Sequence, residues 1–480
     1  MGTAKRIFKN TVYLSIAEVV SRVLQFIVML YAARLLGKTD FGKFSFALSL
    51  SLIAIVLADL GINTLLVREI SRNKNQAGKY FANAFSVKVL LSAVAFVAIA
   101  AILDMMNYPH DTRYIVYIVW MFTILSTFTE LFYSIYRAFE MMFYDAFLKI
   151  TRMIILTALS LYLLFNSYGV FAFSYAFVIV EFIIVIIALA IALKNFIKFK
   201  IEFDVSFVKA LLKKAAPFGL AFVFGSIYFF IGSVMLSKMK GDAEVAIYSV
   251  AYNTALAILF IPTVYTNAIY PVLSRYYHQS RKELNVLYER SFKYLYIIGL
   301  PISVGLYLLA GRVINFFYGK EYSASAIALQ IIAWYLFIKF LNFLLGIILS
   351  SIDRQDKRML GQGVTAVFNV ALNLLLIPKF GFIGAALATF FTEIFLFLIY
   401  YWYVSRSLYF YNFVGVLFKP ALASALMLLF IKFTGFGLAL TVILSSIVYF
   451  VVIFIFKTLD KNDYEILRKI FKNEKVQAVK

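Results

Sequence analysis

The 480 residues are 63% hydrophobic and 15% charged, with 52 Phe and 33 Tyr. A soluble domain carries about 45–50% apolar and about 25% charged residues, so a soluble globular enzyme is excluded. The net charge is +22, with no cysteine and two histidines; disulfides and His/Cys metal sites are excluded, and the basic excess suits lipid headgroups or an anionic substrate rather than nucleic acid.

Fourteen apolar runs follow in chain order, at 10–33, 43–67, 80–103, 114–136, 142–165, 169–193, 215–237, 245–270, 294–317, 324–351, 359–377, 381–405, 415–431 and 434–456. Lipid satisfies no backbone hydrogen bonds, and these runs are too long for barrel strands, so each is expected to cross as a helix. The first run holds Glu18 and Arg22 and no small-residue cleavage site, so it reads as a span rather than a signal peptide. Lysine and arginine are unevenly divided, with about 31 on the side of the N-terminus and about 10 on the other. The heavy clusters are Arg68–Lys79, Lys194–Lys214, Arg275–Lys293 and Lys457–Lys480. This asymmetry predicts a plasma-membrane protein with both termini cytoplasmic. The loops leave no room for a catalytic module, no GxxxxGK[ST] phosphate loop occurs, and His110 and His278 suit no Ser–His–Asp set. Enzymatic activity is not expected.

The chain also resembles itself. Gly37-Lys-Thr-Asp40-Phe-Gly42-Lys-Phe44-Ser45 matches Gly241-Asp-Ala-Glu244-Val-Ala246-Ile-Tyr248-Ser249 at an offset of 204. Ser71-Arg72 matches Ser274-Arg275, and Gly169, Ala172, Ala176 and Glu181 match Gly381, Gly384, Ala388 and Glu393, the latter mostly at an offset of 212. Six spans per repeat is an even number, so the two copies enter the membrane in the same direction, a common transporter design with substrate held between the lobes. The expected organisation is an all-α polytopic membrane protein. An N-terminal lobe covers 1–195, a cytoplasmic interfacial linker 196–214 and a C-terminal lobe 215–405. Spans thirteen and fourteen cover 406–458, and an amphipathic cytoplasmic tail covers 459–480. In the linker, Phe207, Val208, Leu211 and Leu212 share a face, and Tyr464, Leu467, Ile470 and Phe471 do so in the tail.

About ten ionisable residues fall within the spans, away from their ends, among them Glu18, Arg22, Asp59, Lys88, Glu130, Lys149, Arg152, Glu181, Lys339 and Glu393. Each costs about 2.5–3.5 kcal/mol at a helix centre and needs a partner, a hydrated cavity or a route to the interface. One reading places Arg22, Arg152, Lys149 and Lys339 around a phosphate-bearing headgroup, because guanidinium forks bind phosphate oxygens in pairs. In the structural alternative these charges neutralise one another: Glu18 and Arg22 are one helical turn apart, and Lys88 and Lys149 reach the interface. Glu18, Asp59, Glu181 and Glu393 are candidates for ion coupling or for structural pairing.

Ala33-Arg34-Leu-Leu-Gly37-Lys-Thr-Asp40-Phe41-Gly42, continuing to Asp59-Leu60-Gly61 and Val67-Arg68-Glu69, resembles the opening of the polysaccharide-export flippases. These belong to the multidrug/oligosaccharidyl-lipid/polysaccharide exporter superfamily. Pro217-Phe-Gly219, Tyr270-Pro271-Val-Leu-Ser274-Arg275 and Asn369-Val-Ala-Leu-Asn373 through Gly384 are similar to the same family. The resemblance implies a two-lobed helical transporter that alternates access and moves a polyprenyl (pyro)phosphate-linked oligosaccharide to the outer leaflet. Membrane lipids, and glycan polymerases or glycosyltransferases of the pathway, would be its partners. A monomer is expected, with no cofactor beyond a driving H+, Na+ or membrane potential. Ser21-Arg22-Val23-Leu24-Gln25-Phe26 is also similar to the related lipid II flippases, whose matching arginine belongs to a cationic cavity; the second arginine of that helix falls here on Ile27-Val28-Met29. Relatives place an acid where Gly232 stands. The alternative reading is a cation-coupled multidrug exporter of the same superfamily.

Overall fold

The computed structural model describes residues 3–197, 202–411, 414–460 and 463. Twelve helical stretches are long and apolar enough to cross a membrane. Two of them are too long for one crossing. At 1.5 Å per residue, the 48 residues of Val12–Asp59 and the 53 of Gln355–Ser407 extend to more than twice a hydrocarbon core of about 30 Å. Each is broken by a glycine outside helical geometry, Gly37 (φ 76°, ψ 170°) and Gly381 (φ 55°, ψ −132°). Each is therefore two spans, and the chain crosses fourteen times. Odd-numbered spans start on the face of the N-terminus, here the terminal face; Gly37, Gly241 and Gly381, which follow spans one, seven and eleven, lie on the far face.

The repeat is visible in the backbone. Gly241 (φ 89°, ψ 175°) turns the chain between spans seven and eight as Gly37 does between spans one and two. Gly169 and Gly381, 212 apart, both start the sixth span of their lobe at positive φ. The second span is interrupted at Leu60 and Gly61, both at positive φ, and resumes as Ile62–Arg72. At that break Gly61 and Gly219 of span seven touch backbone to backbone; a Cβ on Gly61 would lie 2.6 Å from the Gly219 nitrogen.

Residues 205–214, expected as a separate interfacial helix, are the first turns of Val205–Lys240 and continuous with span seven. Their apolar face is covered by protein: Val208, Leu211 and Ala215 are buried in a cluster with Ile62, Phe81 and Phe132 of the first lobe. Asp204 caps this helix, accepting from Phe207 N–H at 3.0 Å, while its own N–H donates to Asn83 Oδ1 at 2.8 Å. That Phe207 bond, helped by Lys79, holds the Asp204 carboxyl below the ordinary carboxylate range. Spans thirteen and fourteen, Val414–Phe433 and Leu438–Ile455, pack on span nine, where Tyr449 Oη donates to the Ile297 carbonyl at 2.8 Å. Of the tail, Tyr464, Leu467, Ile470 and Phe471 lie outside the described residues.

Candidate functional site

The first lobe and span seven enclose a cavity of about 700 Å³, bounded by spans two, four and five and by Phe222 and Ser226. Asp59, Arg68, Glu130, Arg137 and Arg152 line it. Arg68 stands at its mouth on the terminal face, 43% exposed. Charged groups persist here because each has a partner. Lys88 is fully buried, and its ammonium donates to Asp59 Oδ1 at 2.6 Å, Asn63 Oδ1 at 3.0 Å and the Thr127 carbonyl at 3.0 Å. All three of its donors are used. Arg137 bridges Glu130 and Asp145, each at 2.6 Å. Lys149 pairs with Asp145 at 3.0 Å and lies over the Tyr133 ring. Arg152 pairs with Glu181 at 3.3 Å, and Thr129 Oγ1 donates to the same carboxylate at 2.6 Å. Four acids and four bases thus cancel within one lobe, the arrangement that buried ions require.

The four cations expected around one headgroup are not gathered at one point. Arg152 reaches the main cavity. Arg22 pairs with Glu18 at 2.9 Å and lines a pocket of about 40 Å³ with Gln25 and Asn253. Gln25 also lines a pocket of about 90 Å³ with Arg152 and Glu181, so Arg22 and Arg152 lie along one polar seam. Lys149 does not line the cavity; it pairs with Asp145 one turn before it. Lys88 is enclosed by protein, and its three bonds replace a route to the interface.

Lys339 lies in the other lobe. Its ammonium is 3.2 Å from Glu393 Oε2 and 3.2 Å from Tyr228 Oη, beneath the rings of Tyr228 and Phe229. Tyr228 Oη donates to Glu393, and Asn342 Nδ2 donates to its Oε1 at 2.6 Å. This mirrors the first lobe: Thr129 and Asn342, 213 apart, donate to Glu181 and Glu393, 212 apart. Around Gly232 the nearest side chains are the neutral Asn373 and Tyr248.

Sequence reasoning missed three of these groups. Arg68 opens the basic cluster Arg68–Lys79, Arg137 lies just past the end of span four, and Asp145 lies inside span five. Their signal was the meeting of Arg137 and Asp145 on either side of the short turn at 139–141.

The far face is sealed across the lobes. Gly42 packs on the backbone of Asp242. Tyr108 Oη donates to Ser237 Oγ at 3.2 Å, Lys238 to the Met106 carbonyl, Arg34 to the Phe316 carbonyl at 2.7 Å and Tyr322 Oη to the Ala33 carbonyl at 3.0 Å. The cavity is thus closed from the far side.

The family model described as polysaccharide biosynthesis protein matches residues 7–277, and the MatE model matches 217–375. A Haloferax volcanii protein named "Probable low-salt glycan biosynthesis flippase Agl15" is 21% identical over 79% of this chain and 80% of its own. The capsular polysaccharide biosynthesis protein CapF of Staphylococcus aureus is 24% identical over 83% of this chain and 99% of its own. The solved structure of lipid II flippase MurJ in an inward closed conformation shares the fold, with a TM-score of 0.77 over 92% of this chain and 98% of that one, at 18% identity. A multidrug resistance MATE family transporter in an inward-facing conformation is similar in fold more weakly, with a TM-score of 0.64 over 83% of this chain and 98% of that one, at 17% identity.

Proposed function

The polysaccharide biosynthesis family model covers more than half of the chain, which therefore belongs to that family, and we propose that it is a flippase for lipid-linked oligosaccharide. In this reading it carries a polyprenyl (pyro)phosphate-linked glycan from the cytoplasmic to the outer leaflet of the cell membrane by alternating access, with both termini cytoplasmic. The observation that carries the reading is a charged, roughly 700 Å³ cavity between the first lobe and span seven, sealed on the far face. A glycan cannot cross about 30 Å of hydrocarbon without such a path, while its prenyl tail can stay in lipid.

Within this cavity the carrier phosphate would meet Arg68 at the mouth, then the seam of Arg152 and Arg22. These guanidiniums are already paired, so the phosphate must exchange with carboxylates rather than dock on free cations. Exchange of like for like keeps every intermediate near neutral, which suits release as well as capture. Lys149, Asp59 and Glu181 would hold the wall, with no chemistry performed on the substrate. Glycosyltransferases or a polymerase of the pathway would supply and consume the lipid-linked glycan.

The test is a leaflet-protection assay in proteoliposomes with a fluorescent polyprenyl-pyrophosphate oligosaccharide. Wild type is expected to transfer it, and Arg22→Ala and Arg68→Ala to slow transfer. Transfer unaffected by either would remove the headgroup from this seam. A folded wild type that moves no lipid-linked glycan but exports organic cations would overturn the proposal.

A further inference from the structure

The second lobe contains its own cavity, about 220 Å³, lined by Tyr228, Asn267, Lys339, Asn342, Arg358 and Gln362 among others. Three of its spans, eight, ten and eleven, are the repeat counterparts of spans two, four and five around the first-lobe cavity, but its charge is handled differently. Every cation lining the first-lobe cavity has an acid: Arg68 has Glu69, Arg137 has Glu130 and Asp145, and Arg152 has Glu181. In the second lobe Glu393 offsets Lys339. Arg358 forms no ion pair among the described residues; its Nη1 donates to the hydroxyl of Ser350 at 2.8 Å.

The hydrogen-bonding capacity around Arg358 is also unused. Asn342 is 96% buried, being 4% exposed, and its Oδ1 has no partner. Among the described residues the side-chain amides of Asn267 and Gln362 make no hydrogen bond. Native interiors seldom leave a group as deeply buried as Asn342 Oδ1 unmatched; Asn267 is exposed and Gln362 half-buried, so their amides stand ready for a ligand. The space is shaped as well: Gly346 lies beside the guanidinium, where a Cβ would be 3.5 Å from Arg358 Nε. Pockets for drug-sized ligands run to about 300–1,000 Å³, so this one has room for a single sugar ring or phosphate rather than an oligosaccharide.

We propose that this cavity is a subsite for one anionic group of the transported molecule, a carboxylate or a phosphate, held by Arg358. Its planar fork matches either group, and Asn267, Gln362 and Asn342 Oδ1 meet the hydroxyls or oxygens around it. The proposal rests on the flippase reading and deepens it: the second lobe selects what the first-lobe cavity carries. The shared anionic chemistry has two sources, an acidic sugar of the glycan or the phosphate of the carrier.

The experiment measures binding to the full chain in lipid nanodiscs, beside the leaflet-protection assay. Three probes are compared: a phosphate-free prenyl glycoside bearing a hexuronic-acid disaccharide, the same phosphate-free lipid bearing neutral hexoses, and prenyl pyrophosphate without sugar. Wild type is expected to bind one anionic probe at least about tenfold tighter than the neutral one. The preference collapses in Arg358→Gln and is partly kept in Arg358→Lys. Preference for the uronate probe assigns the anion to the glycan, and preference for the bare pyrophosphate assigns it to the carrier. If Arg358→Gln does not fold, Gly346→Val, which crowds the guanidinium, is expected to abolish the preference instead. Wild type without any preference, or a preference indifferent to position 358, overturns the subsite. Failure of the flippase reading is distinguishable, because it appears as absent transfer by wild type whatever the binding shows.

Discussion

Gly42→Ala tests whether the far-face seal is what holds this conformation. A Cβ at position 42 would lie 2.6 Å from the carbonyl carbon of Asp242, and nearer still to its oxygen. Ordinary contact begins at 3.4 Å, so the two backbones must part by at least 0.8 Å, the difference of those distances. Neither partner is a side chain that can rotate away; both are main chain in packed helices. Overpacking of this kind costs about 1–3 kcal/mol, and at 1.4 kcal/mol per factor of ten this shifts the lobes toward far-face opening by about 5- to 140-fold. The chain has no cysteine, so a single one reports cleanly. Ser237, 5% exposed and bonded to Tyr108 within the seal, is the place for it. Ser237→Cys labelling by an impermeant maleimide is expected to accelerate by that factor in the Gly42→Ala background. Gly225→Ala, with nothing within 4 Å of its added Cβ, should leave the rate alone. A rate unmoved by Gly42→Ala in folded protein, or raised equally by Gly225→Ala, refutes the reasoning.

Three further outcomes are expected. Lys88→Met, which strands the Asp59 carboxylate, should cost about 3–5 kcal/mol, and adding Asp59→Asn should recover most of it; strictly additive losses in thermal unfolding would contradict the pairing. Thr129→Val removes the hydroxyl that donates to Glu181 and should cost about 1.5–3 kcal/mol, whereas an unchanged melting temperature would make that bond idle. At the start of the tail, burial raises the Asp463 carboxyl, but hydrogen bonds from Lys293, Tyr294 and the Asp460 N–H outweigh it and leave it below the ordinary carboxylate range. A depressed carboxyl contributes fully above its unfolded value of about 3.9 and is lost as pH falls through its folded value. Hydrogen-exchange protection at 457–460 should therefore persist from pH 7 down to about 4 and vanish below it, and Asp463→Asn should remove it at pH 7. Protection indifferent to both would sink the anchor.

Most of the fold was legible because hydrophobic run length acts locally. The fourteen crossings, the repeat through Gly37 and Gly241, and the list of charges that needed partners all follow from such signals. The linker was misread as free-standing because its apolar face, Val208 and Leu211, looks the same whether lipid or the first lobe covers it. The four cations drawn to one headgroup lie apart here, because depth along a span can be read from sequence, whereas the direction a side chain faces cannot.

Pairing was more legible than it looked. In an antiparallel hairpin, residues equally far from the turn sit at equal depth, since both helices rise 1.5 Å per residue. Asp59 and Lys88 are centred on the turn at 73–76, Arg137 and Asp145 on 139–141, and Arg152 and Glu181 on 166–168. Three ion pairs of the first lobe thus obey one rule of reflection. Lys339 and Glu393 escape it because span eleven lies between their spans, so no single turn relates them. The rule also bears on transport. Reflected pairs tie neighbouring spans of one lobe and leave the lobes free of one another. The far-face contacts between lobes use neutral acceptors instead: the carbonyls of Met106, Phe316 and Ala33, the Ser237 hydroxyl and the close approach at Gly42. Parting such contacts exposes groups that water can satisfy, whereas parting a buried ion pair strands a charge at several kcal/mol. Strong pairs inside the lobes and exchangeable hydrogen bonds between them let each lobe move as a rigid unit while the seal opens and closes.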